Sequence, residues 1–274
     1  MMDMEAGSNA FDLADCARAE LADLIDRQMG PLGLVAMDAL APAPGQPVLD
    51  VGCGAGETIL QLADRVGTSG RVIGVDIAPR VLTVAHQRTK HLPQVTLLHE
   101  DAAGLALPDR SLDAVFSRFG TMFFVDPIAA FGNLHRMLRP GGRIGFVCWR
   151  SMRENELDFF CAEAAGLPIA ADGAPFCIED SATIARELRS AGFDRIEIVA
   201  HDQQVSAGDV AATLKVVTRV GAVGKVLRDD PTLLAKAEPP LRAALTARER
   251  NGEVHLGTAT WVVTATVNPD TACR

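Results

Sequence analysis

Residues 48–58 read Val-Leu-Asp-Val-Gly-Cys-Gly-Ala-Gly-Glu-Thr. A buried-strand run, Val48 to Val51, breaks into three alternating glycines and then passes into an apolar pattern of helical period over 57–66. Gly52, Gly54 and Gly56 carry no Cβ and can take positive φ, so the backbone can turn sharply and approach a ligand closely at a helix N-terminus. This is the sequence of a nucleotide-cofactor loop. Dinucleotide folds use G-x-G-x-x-G, and the third glycine of that pattern falls here on Glu57. An acid at the helix mouth repels a pyrophosphate but suits a ligand carrying an ammonium and a sulfonium. The spacing G-x-G-x-G therefore favours S-adenosylmethionine (SAM) over NAD.

Outward from the loop, strand-like runs follow at 71–75, 95–99, 114–117, 143–149, 195–200 and 258–267, with helical patterns at 57–66, 79–90, 127–138 and 181–191. Alternating β and α predicts a mostly parallel sheet wrapped by helices on both faces, seven strands in all. Upstream, apolar residues at helical spacing over 11–28, beginning at Phe11, predict an amphipathic helix, and a second, short helix is expected over 32–40. Pro140-Gly141-Gly142 is expected as a turn before the fifth strand, and Gly192 as a helix C-cap. Between the last two strands, Val210, Leu214, Val217, Val220 and Leu227 lie roughly on one helical face, and Asp230-Pro231 reads as an N-cap and first-turn pair. The expected organisation is N-terminal helices over 1–40, a Rossmann-like core over 41–201, a helical insertion over 202–254, and a closing strand and tail over 255–274. The N-terminal helices and the insertion are expected to form a lid over the strand C-termini, where open α/β sheets bind ligands.

Several further residues fall at that edge. Asp76 closes the second strand twenty residues after Gly56, where a carboxylate can accept from both ribose hydroxyls. Asp101 follows the third strand, placed to accept from an adenine amine while the next backbone N–H meets a ring nitrogen. Arg118-Phe119-Gly120-Thr121-Met122-Phe123-Phe124 leaves the fourth strand on the ligand side.

The motifs Leu-Asp-Val-Gly-Cys-Gly-Ala-Gly, Gly-Val-Asp, Glu-Asp-Ala, Asp-Ala-Val-Phe-Ser and Leu-Arg-Pro-Gly-Gly-Arg occur in this order over roughly 45–150, with Trp-Val-Val-Thr-Ala near the end. In this the chain resembles the class I SAM-dependent methyltransferases, and within them the bacterial small-molecule branch related to ubiquinone and menaquinone C-methyltransferases. The resemblance implies an α/β, Rossmann-like sheet of order 3-2-1-4-5-7-6 whose last strand is antiparallel. It implies that Asp50, Gly52, Cys53, Gly54 and Gly56 hold the methionine moiety of SAM, Asp76 and Ile77 the ribose side, and Asp101 and Ala102 the adenine. The carbonyl of Ser117 or Arg118 would accept from the methionine amino group, and S-adenosylhomocysteine would be the product. Family members methylate oxygen, nitrogen, carbon or sulfur, so the acceptor atom is not set by these motifs.

For the acceptor, the Arg118 guanidinium is a candidate clamp for a carboxylate, phosphate or phenolate, the alternative being an ion pair with an acid of the lid. Phe119, Met122, Phe123 and Trp149 are candidate apolar lining, with one of Phe123 and Phe124 expected in the core. His201 and His255 flank the insertion and are the candidate general bases. His86, His91 and His99 lack metal-ligand spacing, and no acid follows the fourth strand, so metal-independent in-line displacement is expected. The rival class is a SAM-binding protein without methyl transfer, a regulatory subunit or a cyclase.

Composition narrows the partners. A net charge of −9 and the absence of any long Lys/Arg stripe argue against nucleic acid. Cys16, Cys53, Cys148, Cys161, Cys177 and Cys273 form no C-x-x-C pair and no signal-peptide pattern opens the chain, the expectation being a reduced, cytoplasmic protein. The most apolar long window, 29–51, is interrupted by Asp38, Asp50 and four prolines and cannot span a membrane. Tyrosine is absent, which removes one common general base. The expected partner is a small-molecule acceptor, with homodimerisation left open.

Overall fold

The computed structural model describes residues 12–168 and 180–269. Phe11 of the expected first helix, and Cys177 and Cys273, lie outside the described residues. The chain divides into two compact units, one holding residues 32–150, 180–201 and 260–269, the other 12–31, 151–168 and 202–259.

The first unit is built on the sheet. Its elements run β1 (Pro47–Val51), α3 (Glu57–Val66), β2 (Arg71–Asp76), α4 (Pro79–Thr89), β3 (Val95–His99), β4 (Leu112–Arg118), a 3₁₀ turn (Thr121–Phe123), α5 (Pro127–Met137), β5 (Leu138–Trp149) and α7 (Ser181–Ser190). Two long strands, β6 (Phe193–Val205) and β9 (Leu256–Val267), complete a seven-stranded sheet of order β3-β2-β1-β4-β5-β9-β6. β1, β2, β3, β4 and β5 pair in parallel, and β9 runs antiparallel to β5 from Arg143↔Thr266 to Trp149↔Thr260. With β9 as the seventh strand, this is the predicted order.

Strands buried on both faces need continuous apolar runs, and β1 and β4 supply them: Val48, Leu49, Val115 and Phe116 are fully buried. At roughly 2 kcal/mol for each large apolar side chain removed from water, these strands and the helices packed on them carry most of this unit's stability. The helix α2 (Ala22–Leu40) adds Ala36, Met37 and Leu40 to the same core as Val48, Ala114 and Phe116. Gly145 of β5 lets Leu40 in, because a Cβ there would stand 2.7 Å from the Leu40 Cβ.

Three local expectations are corrected. Residues 22–40 form one helix with Pro31 inside it, where a break and a second helix over 32–40 were expected. An interior proline costs about 3 kcal/mol. Full burial of Leu32, Ala36, Met37 and Leu40 just beyond it outweighs that cost. Pro140-Gly141-Gly142 is not a turn ahead of β5 but a bulge within it: Leu112 pairs with Leu138, the register then shifts, and Ala114 pairs with Arg143, with Gly141 at φ 78°. The apolar face expected over 210–227 is split between two helices, α8 (Val210–Val217) and α9 (Gly221–Asp229), where Gly221 takes φ 72°.

The second unit is mainly helical. Besides α8 and α9 it holds a helix over 12–20 (α1), α6 (Phe159–Ala165) and α10 (Leu234–Arg248), with a small hairpin of β7 (Glu249–Arg250) and β8 (Glu253–Val254). Asp230 accepts from the Thr232 N–H and caps a 3₁₀ turn, Pro231–Leu233, that leads into α10. Residues 151–168, read from sequence as part of the core range 41–201, group with these helices. The ties are polar: Asn155 Oδ1 accepts from Ala259 N at 2.8 Å, Glu156 Oε2 accepts from Gly257 N at 2.8 Å, and Asp158 accepts from Ala222 N at 2.9 Å at the start of α9. Burial pushes the Asp158 carboxyl above its usual range. Among the described residues no helix is long and apolar enough to cross a membrane.

Candidate cofactor and acceptor site

The loop between β1 and α3 is held by its neighbours rather than by its own side chains. Gly52 N and Cys53 N both donate to Val75 O, at 2.8 and 3.1 Å, and Gly54 N donates to Asp76 Oδ2 at 2.9 Å. From α4, Arg88 Nη1 donates to Ala55 O at 3.0 Å. Gly52, Gly54 and Gly56 all take positive φ, at 73°, 52° and 88°. Gly56 is the N-cap of α3, and a Cβ there would meet the Ala85 backbone and side chain of α4 at about 3 Å. Cys53 is buried beneath the loop, and burial pushes its thiol well above the usual range, which makes it a packed, unreactive residue.

Asp76 is pinned at both oxygens, Oδ2 by Gly54 N and Oδ1 by Ala78 N, each at 2.9 Å. A carboxylate oxygen keeps a second lone pair after one such bond, so this fixed group can still accept from two ligand hydroxyls. Ile77 follows it with half its surface exposed. Asp101 is exposed and holds Ala103 N through Oδ1 at 2.9 Å, while Ala102 is buried. No local pattern signals what steadies this third-strand turn: Asn133 of α5 donates through Nδ2 to the carbonyls of Ala102, Ala103 and Leu105.

Beside the loop, the exit from β4 is fitted to it closely. Ser117 Oγ donates to Val51 O at 2.8 Å and accepts from Gly120 N at 3.1 Å. A Cβ on Gly120 would stand 2.4 Å from Val51 O, and one on Gly52 would stand 2.9 Å from Gly120 Cα. Phe119 takes φ 59° although it is not glycine, and its ring stacks on Trp149 with centroids 4.2 Å apart. Met122 is buried, with its sulfur accepting from Trp149 N at 3.4 Å. Phe123 is half exposed, while Phe124 meets Phe131 edge-on and is the core member of the pair. The acceptor-side residues of this unit that share a surface are therefore Phe119 and Trp149, with Met122 behind them.

Arg118 is ion-paired with Glu57, the first residue of α3. With its charge matched by Arg118, Glu57 does not repel a pyrophosphate as its place in the glycine spacing implied. The stem of Arg118 lies against α2, where a Cβ on Gly33 would stand 2.8 Å from its Cδ.

Asp50 is fully buried, one residue from the end of β1. Thr58 donates its hydroxyl to Oδ2, while Oδ1 is buried with no hydrogen-bond partner. Burial pushes the carboxyl up to about 7, opposed by the Thr58 hydrogen bond and the charge of Arg118. A buried acid beneath a glycine loop suits a ligand that brings a positive charge to that loop, so the residues present fit SAM.

Of the candidate bases, His201 lies apart from these groups. His201 is on β6, the edge strand; its carbonyl accepts from Thr260 Oγ1, and Thr260 pairs with Trp149. Three strand spacings separate β6 from β4, about 14 Å at the usual interval, so His201 does not reach the end of β4. His255 sits in the helical unit with Nε2 3.4 Å from Glu253 Oε2. Among the described residues no three His, Cys, Asp or Glu side chains gather as a metal site.

A lone antiparallel strand in the sixth place, a glycine turn after the first strand and a fixed carboxylate ending the second define a Rossmann-like fold of the methyltransferase kind. Residues 48–142 match the family described as "Methyltransferase domain". This segment, from β1 to the bulge of β5, is therefore similar to methyltransferase domains. The chain is 36% identical over 112 residues to a demethylmenaquinone methyltransferase of Lysinibacillus sphaericus, covering 41% of this chain and 47% of that one. It is 35% identical over 119 residues to the aklanonic acid methyltransferase DauC of Streptomyces sp. (strain C5), covering 43% and 54%. The chain thus spans about half the length of these curated relatives. Among solved structures, a SAM-dependent methyltransferase from Aquifex aeolicus shares the fold, with a TM-score of 0.52 at 17% identity, covering 88% of this chain and 92% of that one.

Proposed function

We propose that this protein transfers the sulfonium methyl of SAM to a nucleophilic atom of a small organic molecule, without a metal. The observation that supports this most directly is the superposition of the methyltransferase-domain match on the braced loop, with Asp76 fixed by Gly54 N and an unpartnered Asp50 oxygen beneath it. SAM supplies an activated electrophile. The chain's own work is to hold and orient: the Gly52–Gly56 backbone and Asp50 take the amino acid end, Asp76 the ribose hydroxyls, and Asp101 with the Ala102 N–H the adenine. The stacked rings of Phe119 and Trp149 offer the acceptor a flat apolar surface, and excluding water there lets proximity supply most of the rate. His201 does not reach the end of β4, which favours acceptors nucleophilic without a base, such as an acidic phenol, a carboxylate, a thiol or an amine. The relatives named above are called methyltransferases of demethylmenaquinone and of aklanonic acid, in keeping with an organic acceptor.

The test is transfer of labelled methyl from SAM into a fractionated cell extract, with and without the protein and with EDTA present. Protein-dependent label is expected in the aqueous or lipid small-molecule fraction. Label confined to protein or nucleic acid, or none while S-adenosylhomocysteine still binds, would overturn the small-molecule reading.

A further inference from the structure

Asp50 combines features that a simple contact role does not explain. It is fully buried in the middle of the sheet, one oxygen takes a hydrogen bond from Thr58, and the other has no donor at all. A carboxylate oxygen removed from water and left without a donor is strongly disfavoured, and protonation is the cheaper state. The surrounding charges do not reverse this. Arg118, from β4, is tied to Glu57 of α3, which matches its charge; Asp76, from the end of β2, adds a like charge; and Cys53, in the loop, is neutral.

We propose that cofactor binding is proton-linked through Asp50, which is protonated in the free protein and ionised in the complex, its proton passing to solvent as the ligand's ammonium brings its charge beside the loop above the carboxyl. This rests on the reading of the loop as a SAM site and adds its regulation. The ammonium brings the counter-charge that the free protein lacks, and by linkage the group that favours ionisation binds more weakly wherever ionisation is opposed. With the carboxyl held near 7 in the free protein, affinity for an amine-bearing ligand falls below that pH, roughly tenfold per unit. The bare nucleoside thioether, 5′-methylthioadenosine, has no ammonium and is not linked.

The experiment is calorimetric titration of the full chain with S-adenosylhomocysteine at pH 6.0, in two buffers of different ionisation enthalpy, repeated at pH 8.5. Release of about one proton is expected at pH 6.0 and close to none at pH 8.5, with the Kd roughly tenfold weaker at the lower pH. 5′-Methylthioadenosine should release none at either. Thr58→Val, which removes the hydrogen bond favouring the ionised form, should move the release to higher pH; Asp50→Asn should abolish it. Binding of S-adenosylhomocysteine at pH 6.0 without proton release would overturn the linkage and leave the methyltransferase reading standing. Release that persists in Asp50→Asn, or a Thr58→Val profile unmoved, would overturn the assignment to Asp50. Failure of S-adenosylhomocysteine to bind even at pH 8.5 would overturn the site reading and the linkage with it.

Discussion

The turn after β1 and the turn after β4 leave neighbouring parallel strands and are fitted to each other within van der Waals contact, yet they are made by opposite means. After β1, three glycines take positive φ and carry no side chain, so the backbone itself becomes the binding surface. After β4, the positive φ falls on Phe119, and the strain of that conformation is spent on holding an aromatic ring against Trp149. The first turn sets bare backbone over a buried acid; the second sets an apolar face beside it. Two chemically different surfaces thus meet at one seam, where Gly52 and Gly120 come together.

The largest effect that would sharpen this contrast concerns the buried acid. Asp50 holds its proton to about pH 7, well above an ordinary aspartate at about 4. Between these values the folded state binds the extra proton, so the free protein loses stability as pH rises through that window and levels off above 7. The full change is on the order of 4 kcal/mol. Urea unfolding of the wild type and Asp50→Asn from pH 4 to 8 should show this slope in the first and its loss in the second; parallel curves would mean that Asp50 ionises freely. Next comes the seam. Gly120→Ala places a methyl against Val51 O and should cost about 3 kcal/mol, whereas Gly54→Ala meets nothing within 4 Å and should cost only about 1, for its positive φ. Equal costs would show that a small backbone shift relieves the contact of Gly120 with Val51, because Gly120 has an ordinary φ of −88°. Asp76→Ala should weaken S-adenosylhomocysteine more than tenfold, about 1.4 kcal/mol or more, an unchanged Kd removing Asp76 from the ribose role. The smallest effect separates strain from stacking: Phe119→Gly should be more stable than Phe119→Ala by about 1 kcal/mol, both with a raised acceptor KM and unchanged cofactor affinity. If Phe119→Ala proves the more stable, the positive φ is not costly.

The difference between the turns also explains what could be read from the chain. Glycines announce positive φ by their identity, and the Asp76 spacing follows from strand length, so the loop and the sheet were legible. Phe119 gives no such signal, because an aromatic is held in the left-handed region only by its surroundings. The Arg118–Glu57 pair joins residues 61 positions apart, and Asn133 reaches three carbonyls from another helix; neither follows from local pattern. Pro31 misled because local propensity marks a proline as a break, while the burial that carries the helix through it is tertiary. The segment 151–168 was drawn into the core range for lack of any composition change, and its grouping depends on long-range hydrogen bonds of the Asn155, Glu156 and Asp158 side chains.

The place of β9 has a consequence for biosynthesis. β6 has only β9 as its sheet neighbour, and β9 is made more than fifty residues later. A thirteen-residue strand must therefore wait, both edges bare, while α8, α9 and α10 emerge, and bare strand edges invite pairing between nascent chains. The sequence of β6 is suited to that interval: Asp194, Arg195, Glu197, His201 and Asp202 interrupt its apolar residues with charge and polarity along nearly its whole length. The strand that closes the sheet last is preceded by one that carries its own protection against aggregation.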